Sequence, residues 1–106
     1  MPRLSAAFVL LLALAGPAAA QPFGDAESGR RLAETWCSAC HMIGPRASGP
    51  VNDAVPSFPA IAAMPSTTDM SLRVFLTATH SRMPNMQLSR AEADDLITYI
   101  LSLRDR

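Results

Sequence analysis

The chain predicts an all-α domain, and three observations carry that reading. Apolar residues recur at helical spacing in three separate stretches, each stretch opens on a capping residue, and a proline-rich segment divides the first from the other two. Nowhere does the sequence show the two-residue alternation of a half-buried strand. The first stretch begins at Ala26 with Asp25 as its cap, and it places Gly29, Leu32, Ala33, Trp36, Cys37 and Cys40 on one stripe. The second is capped by Thr68, carries Leu72, Phe75, Leu76 and Thr79 on one face, and is expected to end near His80. The third opens on the capping box Ser89-Arg90-Ala91-Glu92, with Leu96, Tyr99, Ile100 and Leu103 on its apolar side. Its end is expected close to the C-terminus. Between Gly44 and Pro65, the prolines at 45, 50, 56, 59 and 65 forbid long regular structure, so only a short helical turn near Phe58 to Ala63 fits there.

The N-terminus reads as an export signal. Met1-Pro2-Arg3 is followed by a nearly unbroken apolar run from Leu4 to Ala15 and then by Gly16-Pro17-Ala18-Ala19-Ala20, which ends on an Ala-x-Ala cleavage site. The run is shorter than the ~20 apolar residues of a spanning helix, so cleavage after Ala20 and no stable membrane insertion are expected. No cysteine stands at the cleavage site to take a lipid. The organisation is therefore a signal peptide at 1–20 and one domain at 21–106, expected to be monomeric and exported to the periplasm. A domain of that size has a marginal core of its own, so a bound apolar body should help to hold it. All nine basic residues are arginine and they face nine acidic ones; loss of Arg3 with the signal leaves a net charge of −1. Without a basic stripe, nucleic acid is not an expected partner.

Cys37-Ser38-Ala39-Cys40-His41 is the most specific feature of the chain. It has the C-x-x-C-H pattern of covalent c-type haem attachment. On a helix, positions i, i+3 and i+4 project from one face. Two thiols there can add to the vinyl groups at one porphyrin edge while the imidazole reaches the iron. A bare Cys-x-x-Cys would also serve a dithiol redox pair, half of a zinc site or a short disulfide. A thioredoxin-like site wants a strand before the motif, however, and zinc wants four ligands, for which His80 is the one other soft candidate. In an oxidising compartment two lone cysteines would otherwise pair, and haem ligation is the alternative that uses both. Haem c is therefore the preferred cofactor, with Cys37 and Cys40 as thioethers and His41 as iron ligand. A haem-free dithiol oxidoreductase stands as the alternative from another class.

These residues resemble the class I c-type cytochromes, specifically the small exported bacterial single-haem ones, over nearly all of the chain after residue 20. Four pieces match in order: Gly29 eight residues before Cys37, the Cys37 to His41 motif, Met83-Pro84 after a helix, and Leu96-x-x-Tyr99 in the last helix. The resemblance implies a cytochrome c fold, three main helices plus a Pro/Gly-rich loop wrapped around one covalently attached haem. It implies that the first and last helices approach most closely at Gly29, with Leu96 and Tyr99 packing across it. The family usually has an aromatic where this chain has Ala33, and Trp36 is the candidate to fill that space. The function implied is that of an electron carrier and not an enzyme, with iron cycling between ferrous and ferric. Its partners would be redox proteins: a dehydrogenase, an oxidase or a cytochrome complex. A haem c subunit of a periplasmic dehydrogenase or oxidase is the runner-up to a free shuttle.

Met83 is the choice for the sixth iron position, because a thioether on a loop leaving the second helix can swing over the ring face opposite His41, with Pro84 stiffening the turn. Methionine there raises the reduction potential relative to a second histidine. Met86 and His80, three residues to either side, compete with it, as does an open position suited to a small gas or peroxide. His80 reads first as a solvated helix end, and Met42, Met64 and Met70 read as core filling. A ligating imidazole usually donates its other N–H to a carbonyl. The resemblance gives that task to Pro50, with Gly44-Pro45 as rival. Arg46, Asn52 and Ser57 could each reach a haem propionate, although each reads first as a solvated loop residue. Phe58, Ile61, Phe75 and Leu76 are candidates for a dry wall.

Overall fold

The computed structural model describes Gly16 and residues 23–46, 49 and 54–104. The expected signal segment, Gly16 apart, and the expected Pro50 and Asn52 contacts lie outside these residues. The architecture is all-helical, with α1 (Ala26–Trp36), α2 (Phe58–Ala63), α3 (Asp69–Thr77) and α4 (Arg90–Ser102), and no strand among the described residues. Each helix starts where a side-chain oxygen takes an otherwise unpaired backbone N–H. Asp25 accepts from Ser28, Ser57 accepts from Ala60, and Thr68 with Ser71 and Ser89 with Glu92 form reciprocal capping boxes. The short α2 lies where the sequence allowed one turn.

Two helix ends fall earlier than expected. α1 stops at Trp36, and the cysteine motif forms the turn that follows it, not the last turn of the helix. α3 stops at Thr77 instead of near His80, because Ala78 turns extended (φ −83, ψ 156). The Phe75 carbonyl, which the N–H of residue 79 would take in a continuing helix, accepts the Ala78 N–H at 3.3 Å and the His80 ring Nε2–H at 2.7 Å.

α1 and α4 cross where the sequence places the glycine. A Cβ on Gly29 would lie 2.0 Å from the Asp95 carbonyl oxygen and 2.8 Å from the Cβ of Tyr99, so only glycine permits this approach. Leu96 and Ile97 are fully buried beside it. The N-terminal end of the crossing is tied by the Asp25 backbone N–H, which donates to Asp95 Oδ1 at 2.7 Å. Ala33 is completely buried, so its small side chain belongs to the close packing and leaves no gap. Trp36 therefore does not fill one; it faces solvent, 57% exposed.

The remaining helices are pinned to α4 by polar contacts. Arg73 of α3 pairs with Asp94 at 2.7 Å. Just past α4, Arg104 donates from Nε to the Ala62 carbonyl at 3.0 Å and from Nη2 to the Thr67 carbonyl at 2.5 Å. These bonds satisfy carbonyls at the end of α2 and in the turn before α3, fixing both relative to the α1–α4 pair.

Candidate functional site

The motif turn retains helical bonding although it lies past α1: the N–H groups of Cys40 and His41 both donate to the Cys37 carbonyl, at 3.1 and 2.9 Å. The turn thus stays helix-like, but its two thiols differ in surroundings. Cys37 is buried and Cys40 is exposed. Three contacts then lock the segment after the motif. The Tyr99 hydroxyl donates to the Ile43 carbonyl at 2.6 Å, and the Phe58 N–H donates to the Met42 carbonyl at 2.8 Å. Gly49, at φ +130, passes so close that a Cβ would lie 2.2 Å from the His41 carbonyl oxygen.

The His41 ring is fixed from two sides. Its Nδ1 lies 2.7 Å from the carbonyl oxygen of Pro56, and the Phe58 ring packs against it at 5.3 Å in a tilted arrangement. A carbonyl only accepts, so Nδ1 carries the proton and Nε2 keeps a free lone pair. The carbonyl in contact is thus Pro56, neither of the two alternatives read from the sequence. Pro56 immediately precedes the Ser57 cap, so the start of α2 delivers it.

A cavity of about 340 Å³ opens between these elements. Cys37, His41 and Met83 all stand on its wall, together with Phe58, Ile61, Phe75 and Leu76, the four residues expected to form a dry lining. Leu72, Leu96 and Ile100 complete the apolar side, while Pro56, Ser66, Thr67 and Ser71 are wall residues that sequence reasoning did not single out. Met64 was expected in the core; it stands at the end of α2, 45% exposed, facing the cavity. Met70 is 68% exposed on α3 and fills no core. Met70 lies two residues before Leu72, off the face that Leu72, Phe75 and Leu76 define, so the period of that helix already placed it outside.

Cys40, Met86 and His80 are not wall residues. His80 is not a solvated end either. Besides bonding the Phe75 carbonyl, its ring stacks on the Phe75 ring with centroids 3.9 Å apart and planes 23° apart. Ser57 spends its hydroxyl on the α2 cap, and Arg46 is exposed. Beyond Met83 the chain turns at Gln87, which adopts φ +50 with its N–H on Asn85 Oδ1, and so reaches the Ser89 cap of α4.

Burial pushes the Cys37 thiol up to about 11. A dithiol oxidoreductase needs the opposite, an accessible cysteine whose thiolate is stabilised. A zinc site fares no better, since no group of three or more His, Cys, Asp or Glu side chains stands together among the described residues. The residues present fit a haem: the Cys37 thiol, an imidazole with a set tautomer and a thioether stand on a wall that is mainly apolar apart from Ser66, Thr67 and Ser71, and the second thiol, Cys40, stands three residues along the motif turn.

An all-helical domain with a C-x-x-C-H turn opening onto such a cavity defines a c-type haem protein. The family model for cytochrome c oxidase, cbb3-type, subunit III, matches residues 24–100. Cytochrome c-552 of Bradyrhizobium diazoefficiens (strain USDA 110) is 38% identical over 95 residues, covering 90% of each chain. No solved structure gives a significant match. The chain belongs to the c-type cytochromes. It is a single-haem electron carrier whose cofactor is covalently bound haem c. No helix among the described residues is long and apolar enough to cross a membrane.

Proposed function

We propose that this cytochrome is an exported, monomeric shuttle that passes single electrons between redox proteins in the periplasm after loss of residues 1–20. Cys37 and Cys40 would hold the haem by thioether bonds, and His41, through Nε2, and Met83 would be the side chains that ligate its iron. The haem supplies an iron that alternates between ferrous and ferric without making a bond in a substrate. The chain's own residues keep that alternation cheap. The Pro56 carbonyl fixes the His41 ring and raises its basicity as a ligand. Phe58, Leu72, Leu96 and Ile100 exclude water, which disfavours the ferric charge and lifts the potential. The exposed Cys40 side of the motif offers a route to partners.

The observation that carries this reading is the convergence of Cys37, His41 and Met83 on one apolar cavity, although Met83 lies more than forty residues from the motif. Its test is an optical spectrum and an intact mass on protein exported with haem maturation. The expected mass is that of residues 21–106 plus one haem, with a ferric Met–iron charge-transfer band near the red end. Colourless protein, or a mass equal to the polypeptide alone, would end the reading.

The matching family model is described as an oxidase subunit. That description favours, as a second reading, a haem c subunit of an oxidase. Affinity purification from the native host separates the two readings: an enzyme retained in fixed proportion supports the subunit, and its absence supports the shuttle.

A further inference from the structure

His80 lies three residues before Met83, on the same non-helical segment that leaves α3. An imidazole suits iron better than a thioether does, and the preference is greater in the ferric state, since methionine ligation raises the potential. An unrestrained His80 would therefore compete with Met83 each time the iron is oxidised. The structure holds it elsewhere. Its Nε2–H donates to the Phe75 carbonyl at 2.7 Å, at the negative end of the α3 dipole, and its ring stacks on Phe75 at 3.9 Å. Phe75 itself lines the cavity, so the imidazole is kept one ring's thickness outside it.

We propose that the stacking of His80 on Phe75 is a ligand-selecting device, which parks a competing imidazole outside the haem cavity so that the thioether of Met83 is the group that reaches the iron. This rests on the assignment of Met83 above. Release of the stack converts the ferric protein from imidazole–thioether to bis-imidazole ligation, breaking the iron–sulfur bond and forming an iron–nitrogen bond with no change in electron count. The converted form has a lower reduction potential. The parking bond thus sets both the identity of the sixth ligand and the working potential.

The test uses the holo-protein and compares Phe75→Leu, His80→Gln and the double variant by near-infrared absorption and by potential. Phe75→Leu keeps an apolar wall but removes the stack. It is expected to raise the ratio of imidazole-bound to thioether-bound ferric protein by up to about tenfold, the worth of one aromatic pair, with partial loss of the Met–iron band and a fall in potential. His80→Gln keeps the band, and the double variant recovers it. A Phe75→Leu protein that keeps the full band overturns the proposal. So does a double variant that loses it equally, since Phe75 would then be acting on Met83 by packing alone. If Phe75→Leu does not mature, Phe75→Ile takes its place, since it also keeps an apolar side chain on the wall and removes the stack. A full Met–iron band in Phe75→Ile overturns the proposal, and a loss of the band that adding His80→Gln restores supports it. Failure of the Met83 assignment is read separately, as absence of the band from the unmodified protein.

Discussion

The hydroxyl of Tyr99 donates to the carbonyl of Ile43 at 2.6 Å, a buried bond that joins the last helix to the segment leaving the cysteine motif. It ties α4 to the segment two residues past His41. Tyr99→Phe keeps the ring, which packs 6.4 Å from Phe58. It leaves the Ile43 carbonyl buried without that donor, a loss of about 1–3 kcal/mol. Chemical denaturation followed by the haem absorption is expected to show a lowered midpoint with an unchanged slope. An unchanged midpoint would mean that the bond contributes nothing net.

Gly29→Ala is expected to be far more damaging than its one methyl suggests. The added carbon would meet the Asp95 backbone at 2.0 Å, and neither helix can yield without moving the whole α1–α4 crossing. Overpacking of a rigid contact costs about 1–3 kcal/mol or more. Gly44→Ala is the control, because its Cβ would meet only the Tyr99 hydroxyl at 3.4 Å. Thermal melts of the two variants should differ by several degrees, with Gly44→Ala nearer the wild type.

Much of this fold could be read from local chemistry. Asp25, Thr68 and Ser89 announced three helix starts because capping depends on residues within one turn. The short α2 was bounded by its prolines. What stayed illegible depends on long-range geometry. α3 ends where Ala78 turns extended and His80 reaches back to the Phe75 carbonyl, a contact that no periodicity encodes. The His41 partner proved to be Pro56, one of several prolines in a loop whose path a sequence does not define. Trp36 shows the same limit from the other side. It sits on the apolar stripe of α1, yet Ala33 and Cys37 of that stripe are buried and Leu32 packs against the core, while Trp36 is left facing solvent.

Acid should loosen the start of α1 first. The hydroxyl and backbone N–H of Ser28 hold the Asp25 carboxyl below its ordinary 3.8, and the Arg30 guanidinium holds Glu27 below 4.5. A carboxyl whose folded value is depressed stabilises the fold fully above its unfolded value, and this is lost as pH falls through the folded one. The melting midpoint is therefore expected to hold above about pH 4.5 and to decline below it. Asp25→Ala should lie below wild type at pH 6, with the gap closing as the pH drops under 3.8. A gap that persists undiminished into that range would show that the cap does not act through its charge.

Electron transfer should depend only weakly on salt. The chain has no lysine, and several of its arginines are already engaged by neighbours: Arg30 with Glu27 and Glu34, and Arg73 with Asp94. Arg46, Arg82 and Arg90 stand exposed, but they lie apart in sequence, on the motif loop, the Met83 loop and the first turn of α4. A field built from so few unpaired charges steers a partner poorly, and exposed charges are screened within about 8–10 Å at ordinary ionic strength. The bimolecular rate with a redox partner is expected to change by less than about tenfold between low and physiological salt, against the 10–10³ that strong steering supplies. A steeper fall would locate a concentrated charge at the docking face. Charge reversal at Arg82, beside Met83, would be the first variant to test that location, because it alters the rim without touching the cavity wall.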